Sequence, residues 1–141
     1  MNTNAVDREQ HAFEAIPASA RAARNFVTDT LRQYDATAKV ISDYALAVSE
    51  LVTNVIEHGD GSSLTILVDV ADSDWWEVEV VGGASGVPAK LMNPSTWTVA
   101  GAGETSGRGL GIVRHVMDHV ESSVGDGHVS IRCRRRREQA A

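Results

Sequence analysis

The chain has one cysteine, Cys133, among its 141 residues, so no intrachain disulfide can form and a reducing compartment suits it. That thiol lies near a chain end with no obvious nucleophilic setting, which marks it as structural or incidental. No window approaches the ~18 consecutive apolar residues of a membrane span, and the opening MNTNAVDREQ lacks the apolar core of a signal peptide. A cytoplasmic protein without membrane contact is expected. Basic charge is also short. Thirteen Lys and Arg against nineteen Asp and Glu leave a net charge of −6, which argues against direct nucleic-acid binding. The local exception is Arg132 with the run Arg134 to Arg137, read as a solvated tail or strand edge, with contact to an acidic partner or phosphate as the other option. No Gly-Lys-Ser/Thr follows any glycine cluster, so a Walker-type loop is excluded. Internal repeats and the alternating strand–helix–strand units of a dinucleotide fold are missing too.

What is present suits one soluble domain with a real core, at 43% hydrophobic and 23% charged residues. Residues 1–11 are polar and terminal and read as loosely held, and 136–141 read as a basic and polar tail. Between them, Ala12 to Pro17 suggests a short edge strand closing at the proline. Ser19 reads as an N-cap, with Ala20, Ala23, Val27, Leu31 and Tyr34 at helical spacing behind it. A longer helix is expected from Ala38 to His58, stopped by Gly59. Strands follow at Leu64–Val70 and Trp75–Val81, each alternating apolar with polar residues. That alternation puts Gly82 on the inward face and Glu79 on the outward one. From Gly82 to Gly107 the composition shifts to Gly, Ala, Ser, Thr and Pro, a length of loop that points to function, often a lid. Within it Lys90–Met92 suggests a helical turn and Trp97 a packing anchor. A third helix is expected from Arg108 to His119, then two strands, Val120–Val124 and His128–Arg134, around the turn Gly125-Asp126-Gly127.

Two stretches carry chemistry. In AVSELVTNVIEHG, Val48, Leu51, Val52 and Val55 form an apolar stripe, while Glu50, Asn54, Glu57 and His58 share another face. At roughly 100° per residue, Glu50 and Asn54 lie about 40° apart, close enough to serve one site. An acid and an amide so placed can orient a water or hydroxyl and hold Mg2+ over a phosphate chain, although a solvated polar stripe has the same pattern. The second stretch is Thr105-Ser106-Gly107-Arg108-Gly109-Leu110-Gly111 at a helix start. Its glycines let backbone approach a ligand, and its first amides and the Thr105, Ser106 and Arg108 side chains suit phosphate oxygens. His58 reads as a helix-end residue, and His115, His119 and His128 form no metal-ligand set.

Glu50-x-x-x-Asn54 on a helix, followed by TSGRGLGIV at a later helix start, resembles the GHKL ATPase superfamily of gyrase, heat-shock chaperones, mismatch-repair ATPases and histidine kinases. Within it, ELVTNVIEHG and TSGRGLGIVRHVMD look most like the bacterial anti-sigma factor serine kinases, over residues 12 to 135. The resemblance implies an α+β, two-layer α/β sandwich of Bergerat type, with helices on one face of a mixed, mostly antiparallel sheet. It implies Glu50 as general base, Asn54 as the Mg2+ ligand, and a phosphate-binding segment at Thr105, Ser106, Gly107, Arg108, Gly109, Leu110 and Gly111, with Gly86 a further nucleotide contact. ATP and Mg2+ are the implied cofactors. The implied partners are a sigma factor and an anti-sigma antagonist, the latter phosphorylated on serine so that transcription is controlled by partner switching, with a homodimer as the implied assembly.

One box departs from the pattern. The family has Asp-x-Gly-x-Gly at a strand end, its aspartate reading the adenine amino group. This chain has Gly82-Gly83-Ala84-Ser85-Gly86 instead, with Gly82 at the aspartate position and only Gly86 retained. A catalytically degenerate protein-binding module of the same fold, with weak or no ATP binding, is therefore the competing reading. A detached histidine kinase domain acting in trans is a third, disfavoured because no phosphoacceptor helix pair precedes the domain.

Overall fold

The computed structural model describes residues 8–83, 94 and 105–137, and for residues 105–108 the backbone alone. The expected turn at Lys90–Met92, Trp97 and Gly86 lie outside the described residues.

Period-two alternation builds the sheet. Strand β2 (Leu64–Asp69) buries Leu64, Ile66 and Val68, and β3 (Trp75–Gly83) buries Trp76, Val78, Val80 and Gly82. With β1 (Arg8–Phe13), β4 (His119–Gly125) and β5 (His128–Arg136), these give the order β1-β2-β3-β5-β4 among the described residues. Each of the four pairings is antiparallel, so the mixed element of the expected sheet is not seen there. The edge strand starts at Arg8, before the expected Ala12, so residues 8–11 pair with β2 rather than lying loose. Asp126 and Gly127, both at positive φ (52° and 76°), turn β4 into β5 as the Gly-Asp-Gly sequence suggested.

Three described helices cover one face: α1 (Ser19–Gln33), α2 (Ala38–His58) and α3 (Thr105–Val116). Ser19 is the first residue of α1, not its cap; Ala18 holds that place without a side-chain bond. Thr37 does cap α2, its hydroxyl accepting from the Val40 amide at 3.2 Å. Gly59 ends α2 at φ −80°, not in a left-handed turn. The core lies between layers: Val27 and Leu31 of α1, Tyr44, Val48, Leu51, Val52 and Val55 of α2, and Leu110 and Val113 of α3 pack on the inward sheet residues.

Tyr44 fixes α2 to the sheet centre. Its buried hydroxyl lies 3.0 Å from the carbonyl oxygens of both Trp76 and Cys133, so one proton serves adjacent strands. Burial pushes its pKa well above 10, and pushes the Cys133 thiol up to about 12. The outward face carries Glu77 and Glu79 against Arg8, Arg132 and Arg134, with no described element across it.

Strand β5 runs two residues past its expected end, and this corrects the reading of the arginine run as a tail. Arg134 and Arg136 lie over the Trp75 ring at 4.7 Å, and Arg137 over Trp76 at 3.9 Å while donating to the Val70 carbonyl. Arg135 has inward parity and reaches the helices.

Candidate nucleotide site

Helix α2 sets out the polar stripe that its sequence promises. Asn54 is 6% exposed although polar, and its Nδ2 donates to the Glu50 carbonyl at 2.8 Å, one turn back. The bond folds the amide along the helix beside Glu50. Its Oδ1, the atom that a magnesium ion or its water would take, has no protein partner among the described residues. Glu50, half-buried, reaches across to α3. A Cβ built on Gly109 would overlap the Glu50 carboxylate and lie 2.9 Å from its Cδ. Only a residue without a side chain lets α3 come this close. Two stretches 59 positions apart in sequence thus share one site, joined by a carboxylate lying on a helix backbone.

Helix α3 begins at Thr105, three residues before the expected Arg108, so the glycine segment is the helix's first turns and not a loop before it. The change reassigns the donors. The opening amides of a helix have no partner inside it, and within α3 these are the amides of Thr105, Ser106 and Gly107, whereas the fourth residue, Arg108, begins the ladder. The amides of Gly109, Leu110 and Gly111 belong to the helix ladder, and the Leu110 side chain is core at 1% exposure. An anion placed at this helix start would meet the main chain of Thr105, Ser106 and Gly107, at the positive end of a helix.

At the other end of the site, Gly82 has the inward parity expected of it, but the space in front of it is filled. A Cβ there would overlap Val55 Cγ1, 3.6 Å from Val55 Cβ. Val55 is 2% exposed and belongs to the core. Two carboxylates among the described residues at this end of the sheet, Glu79 and Asp60, face elsewhere. Glu79 is outward, bonded by Ser130 and near Arg132 and Arg8. Asp60 lies against Gly83, which has the opposite parity, and accepts from the Ser62 amide and hydroxyl at 2.9 and 2.6 Å. Those bonds hold the Asp60 pKa below its usual 3.8.

An acid and an amide on one helix are thus set against a glycine-bearing helix start over an antiparallel sheet. Residues 13–134 match the histidine kinase-like ATPase domain. The chain belongs to this family. It is 35% identical over 112 residues to an anti-sigma F factor of Clostridium acetobutylicum, covering 74% of this chain and 77% of that protein. In fold it resembles the crystal structure of the RsbU and RsbW domains of a Mycobacterium tuberculosis protein, with a TM-score of 0.70 at 17% identity. That likeness covers 95% of this chain but spans only 33% of the mycobacterial one.

The family's ATP site gives the geometry its meaning. Of the parts that a metal and phosphate end would need, Glu50, Asn54 Oδ1 and the opening amides of α3 are present. At Gly82 the described residues offer no carboxylate, and Val55 fills the space that one would take. Sequence reading found the missing acid at Gly82 but missed Val55, whose place in the apolar stripe of α2 gives no sign of what it faces. It also missed Arg135, although a signal existed: after Val129, Ile131 and Cys133, the next inward position of β5 is an arginine.

Proposed function

We propose that the chain is an ATP-binding, anti-sigma-factor-like regulator that acts as a serine kinase on an anti-sigma antagonist and so controls transcription by partner switching. The observation that carries this reading is the contact of the Glu50 carboxylate with Gly109, which joins the helix bearing Glu50 and Asn54 to the opening turns of α3. The similarity to an anti-sigma F factor supports the choice of partners, a sigma factor and its antagonist.

The residues fit a magnesium–triphosphate at that end. Asn54 Oδ1 would hold the metal, the amides of 105–107 would bind phosphate oxygens, and Thr105, Ser106 and Arg108 would add donors. Bound there, Mg-ATP would supply a phosphoryl group activated for transfer, with ADP as its leaving group. The protein's part would be to position the acceptor hydroxyl and take its proton at a Glu50 oxygen. Glu50 is held by its helix and by α3, so little reorganisation is needed.

Val55 in front of Gly82 favours a second reading for the base end: a fold kept for protein binding, with adenine read weakly or not at all. Calorimetric titration with Mg-ATP and Mg-GTP separates the two. Micromolar ATP binding together with phosphate transfer to a serine of a copurified antagonist supports the kinase. Absence of binding to both nucleotides, with the antagonist or sigma factor still bound, sinks the kinase and leaves the binding module.

A further inference from the structure

Helix α2 is joined to α3 at a second place, near its own N-terminal end, by a residue from the sheet. Arg135 Nη1 donates to the Asp43 carboxylate of α2 and, at 2.7 Å, to the carbonyl of Val116, the last residue of α3. Its Nε lies 3.7 Å from Asp118, just past α3, and Lys39 stands 3.5 Å from Asp43. The Arg135 side chain is 11% exposed and that of Asp43 14%, so water screens the pair little.

We propose that Arg135 is a positioning residue for the Glu50–Gly109 contact, locking α3 in register against α2 from the opposite end of the helix pair. The spacing makes the case. Asp43 and Glu50 stand seven positions apart on α2, as do Gly109 and Val116 on α3. Seven residues are two turns, about 10.5 Å, and return to the same helix face. Two antiparallel helices are thus pinned at two points of equal separation. At one, a carboxylate of α2 lies on the backbone of α3; at the other, a carboxylate of α2 reaches the backbone of α3 through a guanidinium. A slide or rotation of α3 by one residue breaks both. The guanidinium also meets the negative end of the α3 dipole, with its donors shared between α2 and α3.

A local reason favours a device here. A cleft of about 460 Å³ separates the ends of α2, α3 and β5, lined by Lys39, His115, Met117 and Asp118 with Arg135 and Asp43. At this end the ion pair ties the helices beside the packing of Val116 and Met117 on the core. The inference rests on the proposed nucleotide site for what the register serves, but the register itself can be measured without nucleotide.

The test compares amide exchange in α3 (Leu110–Val113) with that in β3 (Val78, Val80), alongside Mg-ATP titration, for the native chain and Arg135→Met. The expected result is α3 exchange faster by about tenfold or more relative to β3, with Mg-ATP affinity weaker by about tenfold. Arg135→Lys, which keeps charge but not the fork, should recover only part of each. Ile131→Val, a destabilising control on the same strand, should speed both sets together and leave affinity alone. Parallel acceleration of α3 and β3 in Arg135→Met, or selective loosening of α3 with unchanged affinity, overturns the proposal. If Arg135→Met does not fold, Asp43→Asn replaces it, with the same pattern expected at smaller size. If the native chain binds no Mg-ATP, the nucleotide reading fails, and the exchange ratio alone decides on Arg135.

Discussion

Restoring an aspartate at position 82 tests whether the base end of the site is a pocket missing one group or a piece of core. A Cβ at that position would overlap Val55 Cγ1, and Val55, β-branched and in mid-helix, has one strongly preferred rotamer. Overpacking of this kind costs about 1–3 kcal/mol, and a carboxylate buried without a partner adds about as much again. Gly82→Asp should therefore lose roughly 3–5 kcal/mol and melt on the order of 10 °C lower or more. Val55→Ala alone removes two methyl groups from a site 2% exposed, for a loss of about 2 kcal/mol.

The double variant is the informative one. The alanine vacates the volume that the carboxylate needs, so the two losses should combine to less than their sum by about 1–3 kcal/mol. With the acid facing the site, ATP should be preferred over GTP by one to two decades more than in the native chain, because a hydrogen bond to a charged group contributes about 1.5–3 kcal/mol. Denaturant unfolding gives the stabilities and calorimetry with both nucleotides gives the preference. The reasoning is refuted if Gly82→Asp alone keeps native stability and gains ATP selectivity, since Val55 would then not be in the way. Strict additivity of the two stability losses would refute the coupling on its own.

Other expectations follow from single contacts. Tyr44→Phe should lose about 1–2 kcal/mol by denaturant unfolding, because one hydroxyl serves the Trp76 and Cys133 carbonyls. Gly109→Ala should weaken Mg-ATP binding by about tenfold, as its methyl meets the Glu50 carboxylate, whereas Glu50→Ala should abolish phosphate transfer with binding mostly kept; equal loss of both in Glu50→Ala would make that residue structural. Ser62→Ala should raise the Asp60 pKa toward 3.8 by NMR titration. Because the folded value is depressed, Asp60 favours the fold above the unfolded value and loses that contribution as pH falls through the folded one, so the variant should lose relative stability at neutral pH and lose less on acidification. Cys133, its thiol raised to about 12 by burial, should resist alkylation at pH 8 until the chain unfolds.

Local periodicity made most of the architecture legible. The α2 helix matches its expected bounds, Ala38 to His58, because Thr37 caps it and its apolar stripe is unbroken. The β3 strand was read with the right parity up to Gly82, since a strand keeps alternating whatever it meets. The misses come from tertiary contacts. The α3 helix ends at Val116 rather than His119 because the Asp118 amide is taken by the Arg134 carbonyl and His119 already pairs on β5. Arginines 134–137 read as a charged run because charge statistics are local. In the fold their rings, carbonyls and carboxylates lie on four separate segments: Trp75 and Trp76, Val70, Asp43, and Asp118.

The candidate site shows the same division more sharply. Glu50 and Asn54 were legible because one helix carries both, and helical spacing alone puts them on one face. That Gly109 meets Glu50 was not, since nothing in either stretch states how deeply two helices pack. Gly82 was legible as the loss of an acid, and a lost acid by itself implies a hole. Among the described residues there is no such hole in front of Gly82, because Val55 occupies it and is as buried as its neighbours in the stripe. The two ends of the site therefore differ in kind. At the proposed phosphate end, Asn54 is held in place with an oxygen that has no partner among the described residues; at the proposed base end, glycine and valine form ordinary core. Affinity at such a site would come from the triphosphate and metal, and base preference would be weak. That is why GTP belongs beside ATP in every titration of this protein.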